Sequence, residues 1–523
     1  MLRDQGFLLP PDMRDWLGED HPVWLVIEVA SDHLDTSAAH AARRTGGRGA
    51  AGYDPDMLVA LLTWAYAQGV TSSRRIERLC RTDVAFRVIC GGGAGPDHVT
   101  IARFRAGLGS AAGGLFASML VLCARLGMGQ LGTVALDGTK IAAAASKSAN
   151  RGEEHLRELA RQRIAEHAAA DAAEDELYGP GVRGDELPPE LADPQTRAER
   201  IAAALAELEA ERRAAERERG ERDARCQADL AARQDRVGRL FAAQRARVAD
   251  YEARNAAKIA ATGRRLREHR PLPPERHVKI QRAARGLEQA RQRAAGPGRT
   301  EGGTRAGPAR NITDPHSRLM PVRGGGFVQG YNAQSVTTAD GLILATELTC
   351  DPGDVTWFEP MLRQAEAAAA LITAARPDAP GTSPGTDPDC RHPIGLILAD
   401  AGYLSEHNLT CAGPDRLIAT GKRRDLEQAA RDPAAGRTAA RQATQAMAAR
   451  LKTTDGISAY RHRGHIAETP HGHIKHNLRF RQLSVRGKPR ATAEWALIAT
   501  VHNLTKAITA GHLTPRSLPA LAS

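Results

Sequence analysis

Two short apolar runs that each end in an aspartate constrain the fold of this chain most strongly. Residues 132–137 (GTVALD) and 394–400 (IGLILAD) have the length and composition of buried β-strands followed by turns. In α/β sheets, functional groups gather at the carboxyl ends of such strands. We therefore predict an α/β fold in which Asp137 and Asp400 end neighbouring strands of one sheet.

The regions around these two runs differ in pattern. Residues 1–130 predict a mostly helical domain, in which Asp97 is a good N-cap for a helix that begins at His98. Residues 151–300 contain 31 Lys+Arg and 27 Asp+Glu, interspersed, with apolar residues at helical spacing. This pattern predicts long helices laced with ion pairs, as a helical hairpin or a short coiled coil. The insertion is either a solvated helical segment or an arm for oligomerisation or DNA clamping.

After a Gly-rich linker at residues 295–307, the spacing of apolar residues changes from that of helices to that of strands. Residues 326–336 and 342–348 alternate apolar and polar side chains about Asp340 and Gly341, which predicts a hairpin. A helix at 356–375, the Asp400 strand and a strand at 416–420 follow. We thus expect four segments: a helical domain (1–130), the first part of the α/β domain with the Asp137 strand (131–150), the insertion with its linker (151–310), and the rest of the α/β domain (311–523).

Positive charge is concentrated near the C-terminus. Residues 455–523 carry ten Lys+Arg and three Asp+Glu, a net charge of +7 out of +11 for the whole chain. A charge excess this local favours nucleic acid as the partner. Glu468 is the single carboxylate of residues 460–490, where Arg, Lys and His are otherwise abundant.

Asp137, Asp400 and Glu468 form a candidate metal-binding triad. Three carboxylates at strand and helix ends can hold two divalent ions about 4 Å apart, which activate the attacking oxygen and stabilise the leaving one. Oxygen ligands select Mg²⁺ or Mn²⁺ over Zn²⁺. The histidines at 462, 465, 471, 473 and 476 fit no common zinc spacing and are expected to line a phosphate-rich groove.

The motifs around the three acids resemble those of the DDE transposases of bacterial insertion sequences. Asp137-Gly-Thr and Asp400-Ala-Gly-Tyr are similar to the first and second Asp motifs, and Glu468 and Lys475 keep the Glu-x6-Lys spacing. The branch concerned carries a Tyr-x-x-Arg motif, here Tyr460 and Arg463, before the Glu. The resemblance covers roughly residues 50–145 and 310–507. In two departures, Arg463 precedes Glu468 by five positions instead of four, and His471 replaces an aromatic residue.

The resemblance implies a ribonuclease H-like mixed sheet with helices, an N-terminal helical domain, and a helical insertion after the first catalytic strand. It also implies an enzyme that binds the terminal inverted repeats of its element, cleaves DNA with Mg²⁺ (or Mn²⁺), and transfers the exposed 3′-hydroxyls to target DNA. The partners would be double-stranded DNA and a second copy of the chain in the synaptic complex. Phosphate contacts are expected from Tyr460, Arg463, Lys475, Arg479, Arg481 and Arg486.

The helix that begins at His98 is a candidate for recognition of the element ends. Short helices, a tight loop and exposed Arg103 and Arg105 are compatible with a helix-turn-helix-like DNA reader. A plain helical bundle with solvated arginines explains the same pattern, and both interpretations stay open at this point.

Three other functions are compatible with parts of the pattern. A catalytically decayed transposase remnant would bind DNA without cutting it. A stand-alone metal-dependent nuclease of the same fold would cut without joining or end specificity. A helical scaffold built on the insertion leaves all three acidic motifs unexplained. The seven scattered cysteines and the lack of long apolar stretches favour reduced thiols in a cytoplasmic, nucleoid-associated protein.

Overall fold

The chain forms two compact units in a computed structural model. One unit comprises Met1–Asn150 and Arg310–Ser523, and the other comprises Arg151–Ala309. The structure describes residues 12–15, 17–43, 52–152, 154–159, 161–162, 194–295, 309–322, 325–376, 393–421 and 442–518. The predicted linker from residue 296 on and the cationic residues 422–424 lie outside the described residues. The four predicted segment boundaries stay a prediction.

The first unit contains a mixed sheet whose central strand is β1. Strand β1 is parallel to β7, which is parallel to β8, and it is antiparallel to β5, whose other edge pairs with β4 and β6. Strands β2 and β3 pair separately. This mixed α/β topology confirms the predicted ribonuclease H-like class. The strands are β1 (Thr133–Ala142), β2 (Asn150–Gly152), β3 (Ala309–Asn311), β4 (Arg318–Pro321), β5 (Phe327–Thr338), β6 (Ile343–Thr349), β7 (Leu396–Ala399) and β8 (Asp415–Ile418).

Fifteen α-helices have both ends within the described residues, and residues 154–159 and 161–162 are helical as well. They are α1 (Pro22–Glu28), α2 (Ser37–Ala41), α3 (Pro55–Ala67), α4 (Ser73–Thr82), α5 (Val84–Ile89), α6 (His98–Gly107), α7 (Ala111–Arg125), α8 (Pro194–Thr262), α9 (Val278–Ala295), α10 (Phe358–Ala375), α11 (Glu406–Thr410), α12 (Gln442–Arg450), α13 (Thr454–Arg461), α14 (Arg463–Gly472) and α15 (Lys488–Thr509). Asp97 caps α6 as predicted, because its carboxylate accepts a 2.7 Å hydrogen bond from the Thr100 amide. None of the described helices is by itself long and apolar enough to cross a membrane, although the bent pair α6–α7 matches by length and composition.

The two faces of the sheet bury different helices. Val134 and Leu136 of β1 join a large apolar core that α7, α10, α15 and the helices before α7 share. Ala135, on the opposite face of β1, packs in a smaller cluster with Ile466 and Ala467 of α14. Side chains alternate between faces along a strand, so the face that carries Ala135 also carries Asp137.

The central strand is longer than the sequence predicted. Asp137 lies in the middle of β1 and not at its end, because β5 pairs with β1 as far as Ala142. Strand β7, by contrast, pairs with β1 only up to Leu136, opposite Ala399. The parallel pairing of β1 with β7 therefore ends just before Asp137, whereas β1 itself continues to Ala142.

The second unit contains the predicted pair of charged helices. Helix α8 has 69 residues, and α9 packs against it. Ion pairs at i,i+4 spacing line α8, as between Glu221 and Arg225 at 3.0 Å. Tyr251 of α8 donates a 3.2 Å hydrogen bond to the carbonyl of Glu268, which lies in the segment that connects α8 to α9. The helical character of the insertion is thus as predicted.

A buried polar network joins the helices before α7 to α15. The Tyr66 hydroxyl donates a 2.5 Å hydrogen bond to Glu494, which also accepts from the amide of Ser484 at 2.8 Å. Burial, followed by the charge of Glu494, raises the pKa of Tyr66 far above its usual value. Arg105 completes the network with bonds to Tyr66, at 3.4 Å, and to Ser73, at 3.0 Å.

This network corrects one prediction. Arg105 was expected to be exposed, but it is 7 % exposed and its guanidinium is bonded inside the protein. A guanidinium held in this way is not free to read DNA. Arg103, two residues earlier on α6, is exposed as expected.

Loss of the Tyr66 hydroxyl should destabilise the first unit. Tyr66→Phe leaves a buried carboxylate without one of its donors, so we expect a loss of about 1.5–3 kcal/mol in the free energy of unfolding, measured by urea denaturation. Tyr53→Phe makes the same chemical change at an exposed hydroxyl that bonds to the Gly95 carbonyl. It should change stability by less than about 0.5 kcal/mol. Equal effects of the two substitutions would contradict this role for the network.

Candidate functional site at the edge of the sheet

Asp137 and Asp400 lie side by side where the parallel pairing of β1 and β7 ends. Leu136 pairs with Ala399, so each aspartate is the next residue on its strand. Asp137 is 8 % exposed, and its Oδ1 accepts a 2.9 Å bond from the amide of Gly138. Asp400 caps the short turn Ala401–Tyr403 through a 2.8 Å bond from the Gly402 amide. The turn thereby holds the Asp400 carboxylate at the edge.

Glu468 lies on α14, the helix that packs against the face of β1 that carries Asp137. Its side chain is 58 % exposed, and its nearest cation is Arg463, at 3.8 Å. The preceding helix is anchored to the edge by Tyr460, whose hydroxyl donates a 3.1 Å bond to the carbonyl of Ala399. Across the described residues, the one group of three acids or histidines whose ligand atoms come within 4.8 Å of one another is His40, Asp54 and Asp56, away from this edge in sequence. The three predicted acids therefore share a region without converging on a single point.

Asp354 is a further carboxylate at this edge that sequence reasoning missed. It lies on the loop between β6 and α10, and its Oδ1 accepts hydrogen bonds from the side-chain amides of Asn332, at 2.7 Å, and Gln334, at 2.8 Å. Its Oδ2 is directed towards Gly402. No strand-end pattern precedes Asp354, so the sequence offered no signal comparable to those at Asp137 and Asp400.

The carboxylates at this edge act on two neighbouring groups. Burial lowers the pKa of Lys140, and the charges of Asp354, Asp137 and Asp400 act in the opposite direction. Burial also raises the pKa of Tyr403 well above its usual value, and the same three charges add to this effect. The Tyr403 hydroxyl donates to Gln334. The same three carboxylates therefore influence the pKa values of both Lys140 and Tyr403.

Lys475 is held against β1. Its ammonium donates to Thr139 Oγ1 at 2.5 Å and to the Lys140 carbonyl at 3.0 Å. Burial lowers its pKa, with Arg481 acting in the same direction and Asp137 in the opposite one. Lys475 follows α14 in a continuous π-helical turn, His473–Asn477. The connection from Glu468 to Lys475 is therefore helical throughout.

Two histidines of the cluster do not line a groove. His471 is buried and hydrogen-bonded to Ser335 at 2.8 Å, and burial lowers its pKa to about 3, so it is neutral. His473 is half-buried and bonds to His502 at 3.0 Å. The expectation that they face phosphates is wrong for this pair, because α14 and its continuation turn them towards β5 and α15. His462, His465 and His476 are exposed.

The expected phosphate-contacting arginines after Lys475 are exposed. Arg481 donates to the Lys475 carbonyl at 3.0 Å, and Arg486 donates to the Ala144 carbonyl at 3.0 Å, each through Nε. Arg479 has a φ of 55° and lies against Gly69. A separate cavity of about 840 Å³ is lined by further basic side chains, among them those of Arg74, His98, Arg103 and Arg490.

The donor set at the edge fits a hard divalent cation. It consists of carboxylate and amide oxygens, which Mg²⁺ and Mn²⁺ prefer. Asn332 Oδ1 is buried and has no hydrogen-bond partner among the described residues. The glycines at 138 and 402 leave space that a Cβ would fill, with carboxylate oxygens of Asp354 and Asp400 2.8 and 2.9 Å from those positions.

Comparison with known proteins gives two family matches. Residues 11–107 match the family described as Transposase domain (DUF772), and residues 428–508 match the family described as Transposase DDE domain. The second segment contains Tyr460, Arg463, Glu468 and Lys475, whereas Asp137 and Asp400 lie outside both. No curated protein and no solved structure matches the chain. With the mixed sheet and the ordered acidic motifs, the two matches support an insertion-sequence DDE transposase.

Proposed function

We propose that this transposase binds the terminal inverted repeats of its element and catalyses metal-dependent cleavage and transfer of DNA strands. The observation that supports this most directly is the register of β1 and β7, which sets Asp137 beside Asp400. Glu468 and its partner Arg463 lie on the helix that covers the same face. Cleavage would expose 3′-hydroxyls at the element ends, and these would attack the target DNA.

Asp137, Asp400 and Glu468 would hold the divalent ions, with Mg²⁺ as the expected metal and Mn²⁺ as a substitute. Bound ions would supply a polarised nucleophile and neutralise charge on the phosphate. The exposure of Glu468 suits a ligand that completes the site when DNA and metal are bound. Arg463, at 3.8 Å, would keep its carboxylate near the edge until then.

The side chains around the acids would position the phosphate. Arg463 Nη1 is buried and has no hydrogen-bond partner within the described part of the chain, so it can donate to a phosphate oxygen. Lys475 uses two of its three N–H groups on β1 and keeps the third for the substrate. The Tyr460 hydroxyl is bonded to Ala399, which favours a positioning role for it.

The exposed arginines would bind the DNA backbone. Arg479, Arg481 and Arg486 follow Lys475 directly in the chain, so their charges extend the surface that begins at the acidic edge. Arg103, together with Arg74 and Arg490 around the 840 Å³ cavity, would contact the element end. Joining two ends requires two active sites, which implies a homodimer in the synaptic complex.

Removal of one acid should abolish cleavage and spare binding. Asp400→Asn keeps the size of the side chain and its acceptor for the turn but removes the charge. We expect nicking of labelled DNA that carries the element's own end, in Mg²⁺, to slow by at least about 100-fold. Asp455→Asn, at an exposed acid in the first turn of α13, is the matched control and should cut normally.

The outcomes of this assay separate the rival functions. End binding without nicking by the wild type would indicate a decayed copy. Metal-dependent cutting of any DNA, without strand joining, would indicate a nuclease. Nicking that survives Asp400→Asn would contradict the proposed triad.

The salt dependence of DNA binding should report the backbone contacts. Arg486→Ala removes one proposed phosphate contact, so the slope of log K against log salt should become shallower by about one unit, with a similar loss of affinity for all sequences. Fluorescence anisotropy at a series of salt concentrations measures this. Arg363→Ala is the control, because Arg363 is also exposed but pairs with Glu359 on α10. An unchanged slope for Arg486→Ala would show that Arg486 does not contact a DNA phosphate.

A further inference from the structure

Asp354 occupies a helix-cap position without capping the helix. It immediately precedes the turn Val355–Trp357, yet its side chain makes no cap hydrogen bond. The carboxylate turns instead to the sheet, where Asn332 and Gln334 hold Oδ1. Because Asp354 bonds to two residues of another strand and not to the adjacent helical turn, the tertiary fold determines the orientation of its side chain.

The free oxygen of Asp354 faces Asp400. A Cβ on residue 402 would lie 3.2 Å from Asp354 Oδ2 and 2.9 Å from Asp400 Oδ1. The two carboxylates, from loops that follow different strands, thus approach one position that only a glycine leaves open. No group among the described residues donates a hydrogen bond to Asp354 Oδ2.

An unpaired buried oxygen lies beside Gly138, which Asp354 Oδ1 also approaches. Asn332 is fully buried, and its Nδ2 donates to Asp354 Oδ1 at 2.7 Å and to the Asp351 carbonyl at 3.2 Å. Its Oδ1 has no partner among the described residues and lies 3.0 Å from where a Cβ on Gly138 would be. Buried acceptors are normally satisfied, so an open acceptor beside Asp354 is a candidate ligand for a cation.

The nearby cations do not balance these charges. Lys140 Nζ is 4.0 Å from Asp354 Oδ1 and donates its 2.8 Å hydrogen bond to the Pro352 carbonyl. Two ammonium groups, those of Lys140 and Lys475, therefore oppose the three charges of Asp354, Asp137 and Asp400. The local excess of negative charge is what a divalent cation would neutralise.

We propose that Asp354 is a fourth carboxylate of the metal site, which shares a divalent ion with Asp400 and is oriented by Asn332 and Gln334. This inference rests on the proposed function and extends its site beyond the three acids of the motifs. It assigns the glycine at 402 a function as well, because a larger residue there would separate the two carboxylates.

A purely structural role for Asp354 is the alternative. In that case the carboxylate only ties the loop before α10 to β5. Asp354→Asn distinguishes the two, because the amide oxygen can still accept from Asn332 and Gln334 while the charge is lost. The metal affinity should fall if Asp354 is a ligand and stay unchanged if it only holds the loop.

The test is Mn²⁺ binding to the full-length protein without DNA, followed by electron paramagnetic resonance. We expect Asp354→Asn to weaken Mn²⁺ binding at least about 10-fold. Asp351→Asn is the matched control: Asp351 is three residues earlier, exposed, and bonded to Trp357. It should bind as the wild type does. Circular dichroism of each variant monitors the fold.

A second pair of variants keeps every charge. Gly402→Ala places a methyl group between Asp354 and Asp400 and should also weaken Mn²⁺ binding at least about 10-fold, as loss of a supporting contact does. Gly353→Ala, beside Asp354, meets no atom within 4 Å and should have no effect. If Asp354→Asn misfolds, the comparison of these two glycine variants decides the question.

The outcomes also separate this inference from the proposed function. Wild-type affinity in Asp354→Asn and Gly402→Ala, with weakened binding and lost cleavage in Asp400→Asn, would overturn the role of Asp354 and leave the three-acid site intact. A wild-type protein that neither binds Mn²⁺ nor cleaves end DNA would overturn both. Weakened binding in both Asp354→Asn and Gly402→Ala, with normal controls, is the expected result.

Discussion

The pairing of β1 on both of its edges is the constraint on which the site depends. On one side the parallel register with β7 fixes Asp137 beside Asp400, and on the other the antiparallel register with β5 fixes Ser335 opposite Asp137. Side chains alternate between the faces of a strand, so a shift of one residue in either register would move the acid to the other face. The buried cores on both faces oppose such a shift, since Val134 and Leu136 pack on one face and Ala135 on the other.

A second long-range interaction keeps the N-terminal helices on this scaffold. Tyr66 and Glu494 are 428 residues apart in sequence, and their bond is buried together with Arg105. A buried carboxylate is costly unless it is fully bonded, so the network also makes the packing specific. The helices that match the transposase domain thereby share one core with the sheet, and Arg105 contributes to this packing, whereas Arg103 is exposed.

The sequence predicted those features of the site that local patterns encode. Apolar runs ending in aspartate identify β7 and the first half of β1, and the Asp340–Gly341 turn identifies the hairpin, because each depends on neighbours in the chain. Asp354 could not be found in this way, since its direction is set by Asn332 and Gln334 on another strand. The burial of Arg105 was missed for the same reason: its partners, Tyr66 and Ser73, lie more than 30 residues away.

Two basic residues of one helical segment show how burial divides their roles. His471 is buried beside Ser335, and burial lowers its pKa to about 3, so it adds packing without charge. Lys475, four residues on, is half-buried and bonded to Thr139 and to the carbonyl of Lys140. A neutral histidine at this position avoids placing a second cation near Lys475. The ammonium that we propose as a phosphate contact is then already fixed to the strand that bears the first acid, which would reduce the entropy lost on binding.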